Sequence, residues 1–184
     1  AERPRLRGSL MPNGQTFRVS DLTTELALPD RPLIVVNKAS FSVGPGKALG
    51  IVGESGAGKT ILALSLVGRP PPPYARITGG KVLYGDIDLL TSPQARQIIG
   101  RRIGLVFENP AASLDPCYRI GYQISETIRV HERVAAKEAR RRAVELLGMV
   151  GLPDPDSAYS AYPHQFSGGM QQRAVIATAL SCNP

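Results

Sequence analysis

The stretch "GESGAGKT", Gly53–Thr60, matches the pattern G-x-x-x-x-G-K-[ST] at every fixed position. Its glycines allow the backbone to curl around a phosphate with several N–H groups pointing inward. Lys59 can reach the β- and γ-phosphates of a nucleotide, and the hydroxyl of Thr60 can contact Mg²⁺. The stretch therefore predicts a loop that binds a nucleoside triphosphate, formed by Gly53, Glu54, Ser55, Gly56, Ala57, Gly58, Lys59 and Thr60.

The residues on both sides of this loop fit the context that it requires. The apolar run "ALGIV", Ala48–Val52, is suited to a buried parallel strand, and "KTILALSLVG", from Lys59, has a helical pattern. A helix that begins at the loop presents the positive end of its dipole to the bound phosphate. Pro70–Pro73 are expected to end this helix, because proline lacks an N–H and clashes with the preceding turn.

Further β-like runs lie on either side of the loop. Short runs occur from Thr16 to Val43, and Gly79–Leu90 is predicted to form two strands around a Gly-Asp turn. "RIGLVF", Arg102–Phe107, is a second candidate for a buried strand. These patterns predict an α/β core with an antiparallel β portion around residues 16–50 and 77–90.

The later part of the chain is predicted to be helical. From Ile120 to Val150, apolar residues recur three and four positions apart and so share one helix face: Ala139, Ala143, Leu146, Leu147 and Val150. Pro153–Pro163 is predicted to be a turn-rich connector, and Gly168–Leu180 the last helix. We therefore expect a loose lead-in over residues 1–15 and a nucleotide-binding domain over 16–184, with a helical subdomain at about 109–165.

Composition excludes several other classes of protein. The net charge is +7, but the basic residues are dispersed and aromatic residues make up only 5%, which argues against nucleic-acid binding. The one basic cluster, Arg140–Arg142, is interpreted as a solvated helix face. Cys117 and Cys182 are interpreted as reduced thiols, since they are far apart and form no C-x-x-C. No apolar run approaches the roughly 18 residues of a membrane helix.

A second motif of phosphate-binding type is "FSGGMQQR", Phe166–Arg173. Ser167, Gly168 and Gly169 stand at the start of the last predicted helix, where backbone N–H groups and the serine hydroxyl can face an anion. On the residues alone, Ser167 could equally be an ordinary helix N-cap.

The second motif resembles the signature motif of ABC-type ATPases, written LSGGQ-x-Q-R. The preceding "YPHQ", Tyr162–Gln165, is similar to the text found there in ATPases of the di- and oligopeptide and nickel importers. "FENPAASLDP", Phe107–Pro116, resembles the Q-loop segment of the same group. The resemblance extends from about Thr16 to Pro184.

This resemblance implies a P-loop fold and a dimer. In the family, two ATPase units pack head to tail, so that the first loop of one unit and the signature of the other enclose one ATP. It implies ATP and Mg²⁺ as cofactors, and as partners a second ATPase subunit, transmembrane permease subunits and, indirectly, an extracytoplasmic substrate-binding protein. A peripheral position at the cytoplasmic face of the membrane follows from the same resemblance.

The sequence departs from the family pattern at three places. Glu108 stands where the family has a glutamine that contacts Mg²⁺ and the attacking water, so it is a candidate catalytic residue and metal ligand. The family's adenine-stacking aromatic is missing, and an ungapped comparison places Leu28 near that position. The family's Asp-Glu pair and switch histidine are also missing, which leads us to expect a truncated piece of a longer chain, inactive by itself.

The resemblance predicts the ATP-binding subunit of an importer for peptides or a nickel-type ligand, powered by ATP hydrolysis. An alternative is a degenerate module that binds ATP to hold a heterodimer while its partner hydrolyses; Glu108 and the missing aromatic favour it. A third hypothesis, an ABC ATPase acting on DNA or the ribosome, is disfavoured by "YPHQFSGGMQQR".

Overall fold

The structure is a computed structural model that describes residues 14–29 and 31–184. Residues 1–13 of the predicted lead-in lie outside the described residues. The chain forms two compact units, of which one ends at Arg96 and the other begins at Gln97. Among the helices of the described residues, none is both long enough and apolar enough to cross a membrane.

The first unit contains a four-stranded antiparallel sheet and one longer helix. The strands have the spatial order β2-β1-β3-β4. Their bounds are β1 Phe17–Leu26, β2 Leu33–Val43, β3 Ala75–Tyr84 and β4 Ile87–Asp88, and helix α1 is Lys59–Leu66. The predicted antiparallel β portion is confirmed, including the turn at Gly85, whose φ of 61° suits glycine.

A buried pair of hydroxyl groups joins α1 to the sheet. Thr24 on β1 and Ser65 on α1 are both fully buried, and their side-chain oxygens are 2.9 Å apart. A buried polar group costs free energy unless it is hydrogen-bonded, so this contact favours one position of the helix on the sheet.

Helix α1 ends before the prolines that follow it, Pro70–Pro73. Gly68 has a φ of 63°, and its N–H donates to the carbonyl of Ser65 at 3.0 Å. A glycine with positive φ stops a helix because the left-handed conformation breaks the repeating hydrogen-bond pattern. The expectation that Pro70–Pro73 end the helix is therefore wrong, since α1 has already ended at Leu66.

The second unit is helical. Helix α2, Ala95–Ile98, begins in the first unit and ends in the second. The other elements of the second unit are α3 Pro110–Ser113, α4 Ile120–Glu132, α5 Ala136–Met149, α6 Pro155–Ser160, a 3-10 turn Pro163–Gln165 and α7 Gly168–Leu180. The predicted apolar face of α5 is confirmed, because Ala139, Ala143, Leu146 and Leu147 are buried in the core that α4, α5 and α7 share. The bounds of α7 are those predicted from the sequence.

Two predicted strands and one predicted connector differ from the structure. Ala48–Val52 and Arg102–Phe107 are not strands, and Val52 is 93% exposed. A parallel strand is stable only between neighbouring strands, and the sheet of the described residues contains β1 to β4 alone. The predicted connector Pro153–Pro163 contains α6, because the Asp154 carboxylate accepts from the Ser157 N–H at 3.2 Å and Pro155 suits a first helical turn.

Candidate nucleotide-binding site

The phosphate loop is curled by glycines where other residues would be strained. Gly56 and Gly58 have φ values of 82° and 83°. At Gly58, a Cβ would lie 2.7 Å from the carbonyl oxygen of Val35 on β2, too close for any side chain. The loop therefore takes this shape only with glycine at that position, and the shape brings it against the sheet.

Lys59 holds the loop closed. Its Nζ donates to the carbonyl oxygens of Gly53 and Glu54 at 2.8 and 2.7 Å. The Ala57 N–H also donates to Glu54 at 3.1 Å. The ammonium group thus contacts two neutral carbonyl groups, which do not balance its positive charge. A bound phosphate would supply the negative charge.

The start of α1 is electrostatically suited to an anion. Its N-cap is Gly58, which gives no side-chain cap, and its first turn contains no acidic residue. Backbone N–H groups there are the positive end of the helix dipole. Thr60 lies exposed in this first turn, directly after Lys59, so its hydroxyl is available to a ligand of the loop.

The signature segment forms a capped helix start. Ser167 is the N-cap of α7, and its Oγ accepts from the Met170 N–H at 3.4 Å. Gly168 and Gly169 are exposed, and a Cβ on either would have no neighbour within 4 Å. The packing of this chain therefore does not require glycine at these two positions.

Two side chains of the motif Phe166–Arg173 bind backbone carbonyl groups that lie outside it. Gln171 Nε2 donates to the Pro163 carbonyl at 2.9 Å. Arg173 Nη1 donates to the Gly151 carbonyl at 2.7 Å. The sequence pattern assigned neither residue a role, although a polar side chain on a largely apolar helix is the signal that would have indicated one.

Glu108 is exposed and immediately precedes Asn109, the N-cap of α3. Asn109 caps that helix, because its Oδ1 accepts from the N–H groups of Ala111 and Ala112 at 3.1 and 3.3 Å. Glu108 and Ser167 belong to the second unit, whereas the phosphate loop belongs to the first. Leu28, near the expected aromatic position, is 47% exposed.

The donor chemistry fits Mg²⁺ bound mainly through a nucleotide. Within residues 14–29 and 31–184 no three His, Cys, Asp or Glu side chains cluster as metal ligands. Mg²⁺ usually takes one or two protein oxygens, with substrate phosphates and waters completing its octahedron. A hydroxyl at Thr60 beside a phosphate loop matches that demand.

Comparison with known proteins gives consistent matches. The profile of the family described as "ABC transporter" matches residues 36–184. The dipeptide transport ATP-binding protein DppD of Haemophilus influenzae is 40% identical over 168 residues, which cover 90% of this chain and 51% of that protein. The oligopeptide transport ATP-binding protein OppD of Bacillus subtilis is 37% identical over 170 residues, or 91% of this chain and 48% of that protein. The chain thus spans about half the length of these curated relatives.

A solved structure shows the same fold. The ATP-binding cassette MJ0796, in a dimeric post-hydrolysis state bound to ADP and Pi, superposes with a TM-score of 0.78 at 26% identity. The superposition covers 91% of this chain and 70% of that one, and it confirms the predicted α/β P-loop fold class. Because the family profile matches well over half of its residues, the chain belongs to the ABC transporter family.

Proposed function

We propose that this chain is the nucleotide-binding part of an importer's ATP-binding subunit, and that ATP binding and hydrolysis drive uptake of peptides or a nickel-type ligand. The observation that carries the proposal is the glycine-curled loop Gly53–Thr60 together with a capped Ser-Gly-Gly at the start of α7. The names of the relatives, which are dipeptide and oligopeptide transport proteins, support peptides as cargo.

Each part of the chain has a distinct task in this proposal. The backbone N–H groups of the loop and the Lys59 ammonium bind the β- and γ-phosphates. Thr60 would hold Mg²⁺, which when bound would neutralise charge on the transferred phosphoryl group, and Glu108 is proposed separately as a metal ligand and catalytic residue. Ser167, Gly168 and Gly169 serve the nucleotide of a second subunit, so the dimer closes when ATP is present and opens after hydrolysis.

The partners follow from that division of tasks. A second ATPase subunit, identical or homologous, supplies the opposing signature, and permease subunits receive the motion. The subunit is then peripheral at the cytoplasmic face of the membrane, and an extracytoplasmic binding protein is reached only through the permease. Nucleic acid has no part in this proposal.

The test is transport by the natural protein with its permease in proteoliposomes. We expect ATP hydrolysis inside the vesicle to be stimulated by a peptide presented with its binding protein, and not by nickel. Stimulation by nickel alone would show that the transported ligand is nickel, while the proposed coupling of ATP hydrolysis to uptake would stand. If the natural protein does not bind ATP at all, the proposal is wrong.

The second candidate function is a degenerate site that binds ATP without efficient hydrolysis. Its support is the carboxylate of Glu108 at the position of the family's glutamine, together with Leu28 near the aromatic position. An extra negative charge near a γ-phosphate destabilises the negatively charged transition state of hydrolysis.

Glu108→Gln distinguishes the two candidates. If the site is degenerate, the substitution is expected to raise ATP turnover by about tenfold while nucleotide affinity changes less, because many backbone N–H groups share the phosphates. Steady-state hydrolysis and nucleotide titration measure the two effects. Glu126→Gln, an exposed carboxylate of the same unit, is the control for loss of charge. Turnover that stays level or falls would show that Glu108 replaces glutamine as a working metal ligand.

A further inference from the structure

The C-terminal end of α7 meets a charged side chain from another helix. Ser181 caps α7 and is 1% exposed. Arg142 of α5 donates from Nη2 to the Ser181 carbonyl oxygen at 3.0 Å. The same guanidinium forms a two-bond ion pair with Glu132, the last residue of α4, with Nη2 to Oε1 at 3.0 Å. We call Arg142, Glu132 and the Ser181 carbonyl the Arg142 junction; it joins α4, α5 and α7.

Arg142 is much less exposed than its neighbour Arg141. The side chains of Arg142 and Glu132 are 19% and 22% exposed, whereas that of Arg141 is 58% exposed. Arg141 pairs with Glu138 and Glu145 on its own helix. The interpretation of Arg140–Arg142 as a solvated helix face is therefore wrong for Arg142, because its charge is used inside the helical unit.

The ion pair is held in its charged form. The hydrogen bond from Arg142 lowers the pKa of Glu132, an effect that burial opposes and the Arg142 and Arg101 charges reinforce. The same hydrogen bond raises the pKa of Arg142. A guanidinium at the C-terminal carbonyl groups of α7 also complements the negative end of the helix dipole.

The segment that leads to Glu108 touches the same end of α7. A Cβ on Gly104 would lie 2.7 Å from the carbonyl oxygen of Ala179, so the two backbones are in direct contact. Gly104 precedes Glu108 by four residues. The position of α7 at this end therefore also constrains the start of the segment that carries Glu108.

The opposite end of α7 carries Ser167. A helix of 13 residues is a rod about 20 Å long, so a shift at one end moves the other. We propose that Arg142 is a positioning residue, which through Glu132 and the Ser181 carbonyl sets where α7 presents Ser167 and where the segment from Gly104 delivers Glu108. The inference rests on the proposed function, since both residues matter to turnover only in an ATP-hydrolysing dimer.

The decisive variant removes both charges of the half-buried Arg142–Glu132 pair. Arg142→Met with Glu132→Met replaces them by apolar side chains, which for half-buried pairs is often neutral for stability because no unpaired charge remains. In the natural protein we expect kcat for ATP hydrolysis to fall by about tenfold, with the affinity of the monomer for ATP within about twofold of the original. The matched control is Arg141→Met with Glu138→Met, which removes the same two charges from an exposed pair within α5 and should keep turnover within about twofold.

A second variant covers the case in which the double variant melts early. Arg142→Lys keeps the charge but lacks the planar fork that reaches a carboxylate and a carbonyl together. We expect its turnover to lie between those of the natural protein and the double variant. Natural turnover in both Arg142 variants would overturn the inference, and so would a fall in monomer ATP affinity as large as the fall in kcat, since that marks general damage.

Failure of the proposed function is distinguishable from failure of this inference. The first would show in the unsubstituted protein, as absence of ATP binding and hydrolysis, and would remove both proposals. The second would show only in the comparison of the two double variants, with the unsubstituted protein fully active.

Discussion

Lys59→Ala is expected to raise the dissociation constant for ATP by at least about 100-fold, which corresponds to about 2.7 kcal/mol. Lys59 is the proposed charged ligand of the phosphate, and its ammonium lies at 2.8 and 2.7 Å from the carbonyl oxygens of Gly53 and Glu54. The substitution removes the charge proposed to bind the β- and γ-phosphates, together with two hydrogen bonds within the loop. Equilibrium titration with a fluorescent ATP analogue measures the loss.

The same substitution should change stability little. Lys59 is only partly buried, and its hydrogen bonds are made to exposed carbonyl groups that water can satisfy. We expect the free energy of unfolding to change by no more than about 1 kcal/mol, as measured by thermal melting without nucleotide. Lys47→Ala, an exposed lysine of the same unit, is the control for loss of a positive charge. Equal ATP affinity in the Lys59 and Lys47 variants would refute the assignment of the loop.

The local conformations of the two glycine-containing motifs were predictable from sequence, because they depend on neighbouring residues. The loop needs glycine where φ is positive and lysine next to it, and these demands lie within eight consecutive residues. The start of α7 was predictable for the same reason, because an N-cap serine and the N–H that it accepts are three residues apart.

Features that depend on distant partners were not predictable in the same way. The apolar run Ala48–Val52 has the composition of a buried strand, but its pairing depends on neighbours that the run itself does not specify. Arg142 looked like part of a basic surface because its partners, Glu132 and Ser181, are 10 and 39 residues away in sequence. The helix α6 was not predicted because it contains Pro155, which stands in the first turn, where a helix tolerates proline.

Ser167→Arg is expected to abolish ATP-driven dimerisation and to lower turnover by at least about 100-fold, while ATP binding by the monomer stays within about twofold. Ser167 is exposed at the start of α7, and the two glycines after it have open space around them. An arginine there fills the space that the proposed partner's nucleotide would occupy, yet it changes nothing in the phosphate loop of its own chain. Size-exclusion chromatography with and without ATP measures dimerisation, and titration of the monomer measures binding.

Two controls separate the possible causes of that loss. Ser167→Ala removes the bond from Oγ to the Met170 N–H, which is worth about 1 kcal/mol of helix stability, but adds no bulk. Ser160→Arg adds the same charge at an exposed position at the end of α6. We expect a smaller loss of turnover from the alanine variant than from Ser167→Arg, and natural turnover from Ser160→Arg.

The division of tasks between the two motifs requires that only Lys59→Ala weakens ATP binding by the monomer. If Ser167→Arg weakened it equally, Ser167 would serve the nucleotide of its own chain, and the head-to-tail arrangement would be wrong.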